Sequence, residues 1–156
     1  MTPPITPGVL GDWAMEVAPY TDGTAPTTWT RVFGITEFTP PQTEKNLEDD
    51  SEFDGTHWSS QIATGIGWTG EGTLKTPRAG MAADPGQEIL KTASREVLEG
   101  GFVHVRFWQD GATTGDQGVA DVQWNSNGGP KTDLTTAALT LTGRGALTEF
   151  TVPTGG

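Results

Sequence analysis

The chain has 156 residues, 20 of them acidic and 9 basic, for a formal charge of -11. That length suits one domain with a real core, yet an apolar fraction of 33% makes the core thin or shares it with partner chains. The absence of cysteine excludes disulfides, thiolate metal sites and cysteine nucleophiles; the acidic balance disfavours a grip on duplex phosphates; no apolar run approaches the ~20 residues of a membrane helix.

Residues 1–12 read as an extended arm, rich in proline and lacking the basic and apolar segments of a secretion signal. One domain over 13–152 follows, with a short tail at 153–156. Threonine is abundant, and it recurs with Val, Trp and Phe between Gly and Pro punctuation, which predicts a mainly β protein with one helix. A first strand is expected over Trp13–Val17. Trp29–Phe33 alternates, with Trp29, Arg31 and Phe33 on one side and Thr30 and Val32 on the other. A strand through Ile35–Phe38 is expected to stop at Pro40–Pro41. Gln42–Thr56 then holds Glu44, Glu48, Asp49, Asp50, Glu52 and Asp54 against Lys45 alone, and reads as a long, self-repelling, solvated loop. Two short strands are expected near Trp58–Gly65 and Gly67–Leu74.

The helix is predicted over Pro85–Glu99. Asp84 suits the N-cap, Pro85 the first helical position and Gln87 the capping-box position. Ile89, Leu90, Ala93, Val97 and Leu98 form one apolar stripe, and Gly100–Gly101 ends it. In Phe102–Gln109, Val103, Val105 and Phe107 face one way and His104, Arg106 and Trp108 the other. Ala120, Val122 and Trp124, then Leu139 and Leu141, then Leu147–Val152 supply the remaining strands, with a turn at Asn127–Pro130.

Few residues suggest chemistry. Gly65-Ile66-Gly67-Trp68-Thr69-Gly70 has the spacing of a dinucleotide fingerprint, but no helix follows to face a pyrophosphate. Asp50–Gly55 weakly matches the start of a calcium loop, and Glu52 and Gln61 occupy its third and twelfth positions unsuitably. A glycosidase pair among the same acids would need one carboxyl kept protonated, which a solvated loop does not provide. His57 and His104 stand apart from any zinc or Ser–His–Asp pattern. The expectation is therefore a protein without catalysis, cofactor or metal. The tryptophans suit core or interface packing, with a sugar-stacking platform as the sharper alternative. A carbohydrate-binding β-sandwich is accordingly the second reading.

The segments Phe107-Trp108-Gln109-Asp110-Gly111, Val122-Gln123-Trp124-Asn125, Gly128-Gly129-Pro130-Lys131 and Leu139-Thr140-Leu141-Thr142-Gly143-Arg144-Gly145 follow the lone helix in this order. From Trp13 to Phe150 the pattern resembles the major tail tube proteins of long, non-contractile-tailed bacteriophages, especially those of actinobacteria. The resemblance implies two packed antiparallel sheets, as a sandwich or barrel, with the helix flanking them. It implies a virion protein assembled in the host cytoplasm into stacked hexameric rings, whose lumen passes DNA without binding it specifically. Tape measure, tail-tip and tail-terminator proteins are the other implied partners, and no membrane is involved. In that family the long loop reaches a neighbouring subunit. Leu47 and Phe53 are thus expected as anchors, and the carboxylates of Glu44, Glu48, Asp49, Asp50, Glu52 and Asp54 as partners for Lys75, Arg78 or Arg144 of the neighbour.

Overall fold

The computed structural model describes Pro4 and residues 13–22, 24–52 and 58–153. The expected arm, apart from Pro4, and the tail after Pro153 lie outside the described residues. The strands are β1 (Trp13–Pro19), β2 (Thr30–Val32), β3 (Ile35–Asp49), β4 (Gln61–Lys75), β5 (Phe102–Gln109), β6 (Thr114–Ser126) and β7 (Thr136–Thr151). Helix α1 (Pro85–Ser94) and a 3-10 turn (Leu98–Gly101) connect β4 to β5.

The fold is mainly β with one helix, as the composition predicts. Its strands form a single antiparallel sheet in the order β2-β1-β5-β6-β7-β4-β3, not closed into a barrel. The two expected layers arise because this one sheet curls over a common interior. Phe38 of β3, at one end of the order, lies 5.4 Å from the ring of Trp13 on β1 and 5.8 Å from that of Phe107 on β5. Trp68 of β4 reaches Phe107 at 6.3 Å. The alternation in β5 is realised as read: Val103, Val105 and Phe107 are fully buried in that interior, beside Ala120, Val122, Leu139 and Leu141. Twist makes such curling the ordinary behaviour of a long antiparallel sheet.

Three sequence expectations change. First, β3 runs through Pro40–Pro41 to Asp49 instead of stopping. It is an edge strand, and a register shift between Thr39 and Gln42 lets two residues without N–H groups bulge from the ladder. Second, Gln42–Asp49 is strand and not loop. Its acids lie opposite uncharged residues, Glu44 facing Gly67, Glu48 facing Ile62 and Asp49 facing Gln61, so pairing creates no like-charge contact. Correspondingly, β4 is one strand where two were expected, and β7 likewise runs unbroken from Thr136 to Thr151.

Third, the helix ends at Ser94, five residues early. Leu90 and Ala93 are buried against the sheet, while Val97 and Leu98 are 80% and 82% exposed. The chain must leave the helix because Gly101 has to pass close to Asp121 and the Glu96 carbonyl on its way into β5. Leu98 takes a left-handed φ of 56° in that turn. At the other end the cap is as predicted, with the Gln87 N–H donating to Asp84 Oδ2 at 3.1 Å. Gln87 itself does not complete a capping box. Its buried amide donates to the carbonyls of Phe33 at 2.7 Å and Lys75 at 2.8 Å, bolting α1 to the ends of β2 and β4.

Candidate assembly surface

Pairing of β4 with β7 covers only Thr69–Lys75, so Gln61–Trp68 has β3 as its single neighbour. Thr43–Asp49 and Gln61–Trp68 thus leave the body as a two-stranded ribbon. Isolated ribbons of this kind are marginal in water and gain from pairing or packing elsewhere. The end of this one is tied by Asp50 N–H to the Ser60 carbonyl (3.1 Å) and by Ser60 N–H to Ser51 Oγ (2.7 Å). The Ser51 hydroxyl and N–H hold the Asp49 carboxyl below its ordinary pKa, so that charge persists at mildly acidic pH.

The ribbon is acidic and apolar at once. Glu44, Glu48, Asp49, Asp50 and Glu52 are all exposed along it. Leu47, Ile62 and Ile66 are exposed too, as is Trp58 just before β4. By register, Trp68, Ile66 and Leu47 share one face, so the face that is core at the base of the ribbon continues outward uncovered. Ile62 and Ile66 were not singled out in the sequence, where Ile66 sits between Gly65 and Gly67. The expected anchor Phe53 and the acid Asp54 lie outside the described residues.

The three expected cationic partners separate. Arg144, on β7, stacks over Phe102 with its guanidinium 4.5 Å from the ring. It belongs to an aromatic and cationic surface on the outer face of β5, where Arg106 sits over Trp29 at 4.4 Å and pairs with Glu16 at 3.0 Å. His104 lies in the same layer, stacked on Tyr20 at 5.4 Å, and burial lowers its pKa. Lys75 ends β4 and Arg78 follows it, at the end of the sheet away from the ribbon. Among the described residues the ion pairs are Lys91–Glu88 and Arg106–Glu16, and neither involves the ribbon.

The end holding Lys75 and Arg78 is a second distinct surface. Residues 76–84 and 127–135 form two adjacent loops there, joined by Thr76 N–H to the Thr135 carbonyl (3.1 Å) and by the Thr135 hydroxyl to the Thr76 carbonyl (3.0 Å). They expose Met81 and Leu134, and they bring Lys131 to the same end as Lys75 and Arg78. Lys131 was not singled out in the sequence, where it sits inside a turn signal.

Gly65–Gly70 lies within β4, with no helix behind it. Among the described residues no group of three His, Asp or Glu side chains could hold a metal. An apolar groove of about 350 Å³ runs between α1 and β5, lined by Tyr20, Ile89, Ala93 and Phe102, with Glu88 and Glu99 at its sides. Of the tryptophans, Trp68 and Trp108 are buried, Trp29 carries the Arg106 guanidinium on its ring, and Trp58 is exposed.

No family model matches the chain, and no curated protein sequence does. Solved structures do match. A chain of the anti-feeding prophage (AFP) baseplate, a sixfold-symmetrised cryo-electron microscopy structure, superposes with a TM-score of 0.66 at 10% identity, covering 94% of this chain and 97% of that one. The chain therefore shares the fold of that baseplate chain. A chain of the native gene transfer agent virion shares it, with a TM-score of 0.65 at 11% identity over 92% of this chain and 99% of that one. So does a chain from the C6-symmetric tail of the empty gene transfer agent particle, with a TM-score of 0.65 at 13% identity over 91% and 98%. Coverage above 90% in both directions means that the likeness extends over nearly the full length of each chain. These neighbours carry the tail part of the sequence resemblance, not its actinobacterial part.

Proposed function

We propose that this chain is a structural subunit of a phage-type tail, which assembles with itself into stacked hexameric rings around a DNA-conducting lumen and catalyses nothing. The observation that carries the proposal is the projecting ribbon, with its apolar face and free edges, on a fold that covers 94% of the chain in a baseplate neighbour. Two neighbours come from particles with sixfold or C6 symmetry, which supports the ring. The charge supports the lumen: at -11 per chain, six copies carry -66, and such a wall repels DNA instead of retaining it. Tape measure, tail-tip and tail-terminator proteins complete the assembly, which forms in the host cytoplasm and resides in the virion. The segment wording quoted above favours an actinobacterial phage.

Sedimentation and electron microscopy of the concentrated protein, with and without tail-tip proteins, test the proposal. Rings or tubes about six subunits around are expected, since head-to-tail contacts close into rings or propagate. A monomer at every concentration, even beside tail-tip proteins, refutes it.

A further inference from the structure

We propose that the segment joining β1 to β2 is a latch laid over the outer face of β5, and that protonation of His104 releases it. Of this segment, residues 20–22 and 24–29 are described. His104 sits at the centre of the face they cover. By register it lies between Ala18 of β1 and Val119 of β6, and Val119 in turn lies beside Arg144 of β7. The Tyr20 ring stacks on the imidazole at 5.4 Å, and the Trp29 ring meets it edge-on at 6.4 Å. Under this cover His104 Nε2 is buried and has no hydrogen-bond partner. A neutral imidazole leaves one nitrogen bare at the smaller cost. In the charged ring both nitrogens carry protons and each needs an acceptor, so burial weighs far more on that form.

The groups around the ring offer little compensation. On β1, Glu16 is taken by Arg106, whose guanidinium stands 3.0 Å from the carboxylate. On the latch itself, Asp22 accepts from the Tyr20 hydroxyl at 3.2 Å. Asp121 of β6 lies opposite Phe102, two residues along β5, and Glu99 of the 3-10 turn acts on Tyr20 together with Arg144. The Arg144 and Arg106 guanidiniums stand in the same layer, over Phe102 at 4.5 Å and over Trp29 at 4.4 Å. A cleft of about 430 Å³ opens beside His104, between the latch and β6 and β7. Among the described residues no carboxylate lines it, and Arg144 is its cation. Burial thus holds the His104 pKa below its ordinary 6.5, and the Thr21 backbone offsets only part of that. Once the latch lifts, the imidazole regains its ordinary value, so the open form takes up protons more readily than the closed. Closure is therefore favoured in full above about pH 6.5 and weakens as pH falls from there through the lowered value. Release uncovers Phe102 and Arg106, which Tyr20 and Trp29 now cover, and so bares a cationic, aromatic face on a chain with 20 acids and 9 bases.

Hydrogen exchange of the full chain, read by mass spectrometry at about pH 7.5 and about pH 5.5 and corrected for the intrinsic pH dependence, tests the latch. Peptides spanning residues 20–29 should exchange at least about threefold faster at the lower pH, while those of β5, β6 and β7 keep their protection. In His104→Phe, which keeps a ring on Tyr20 and takes up no proton, the increase should vanish. His57→Gln leaves His104 as the only histidine of the chain, and its imidazole C–H resonances should titrate below the ordinary value. Equal exchange of residues 20–29 at both pH values overturns the latch, as does a titration at or above the ordinary value. An increase that survives in His104→Phe belongs to a carboxyl such as Asp22 or Glu16 and overturns it too. So does an increase shared equally by the core strands, which is global acid unfolding. The experiment needs no assembled tail, so its outcome is independent of the self-assembly reading.

Discussion

Gln87 shows how one side chain can join elements far apart in sequence. Its amide reaches the carbonyl of Phe33, 54 residues away, and that of Lys75, 12 residues away, and the whole side chain is buried. Gly34, with a φ of +91°, leaves room for it: a Cβ there would stand 2.9 Å from Gln87 Nε2 and 2.8 Å from the Lys75 carbonyl. Removing the amide strands two carbonyls at the helix–sheet junction. Gln87→Ala should therefore destabilise the subunit by about 1–3 kcal/mol, read as a lower urea midpoint at unchanged slope. An unchanged midpoint would mean that water replaces the amide without loss. A similar intimacy exists at Gly143, where any side chain would overlap the buried indole of Trp68. In the sequence both glycines look like ordinary strand breakers.

The helix is the element whose signals agreed best and whose length was still overestimated. Asp84, Pro85 and the stripe of Leu90 and Ala93 act as their chemistry demands. Val97 and Leu98 continue the helical spacing in sequence, but the backbone has already turned, so they face solvent. Periodicity reports where a helix could continue, not where tertiary contacts force it to end. Leu90 covers the sheet interior with no exposure at all. Leu90→Ala should cost ~2–5 kcal/mol of stability by thermal or urea unfolding, the range for emptying a packed core site. A variant as stable as the parent would mean that the helix contributes no packing. The β3–β4 ribbon errs in the opposite direction. Its charges argued for a loop, yet strand pairing needs backbone partners and tolerates solvated carboxylates that lie opposite neutral residues.

For the molecule as a whole, the ribbon is where the subunit is incomplete. Residues 43–49 and 61–68 pair only with one another, and their apolar face is bare. Segments of this kind open readily and are closed by a partner. Proteolysis between Glu44 and Glu52 should be slowed by at least about tenfold on assembly, because cleavage of native chains follows the population of locally open states. Equal cleavage in free and assembled protein would show that the ribbon is idle in the tail. The experiment reads the expected contacts of Glu44, Leu47 and Glu48 directly and does not depend on which surface receives them.

Strand character, the helix start and the inward alternation of Val103, Val105 and Phe107 were legible in the sequence because they rest on local chemistry: side-chain period, capping and proline geometry. The resemblance to tail proteins was legible in segment order, and the shared fold agrees with it at 10–13% identity. Three things were decided only in the folded chain. Pro40–Pro41 became a bulge because β3 lies at the edge of the sheet, and no local rule says which strand is an edge. Arg144 went to Phe102 while Lys131 joined Lys75 and Arg78, since strand register, not sequence distance, brings side chains together. The bare face of the ribbon exists because β4 and β7 diverge beyond the Thr69–Thr142 pair, whose two residues are 73 apart in the chain. Long-range pairing sets such features, and a reading of neighbouring residues has no access to it.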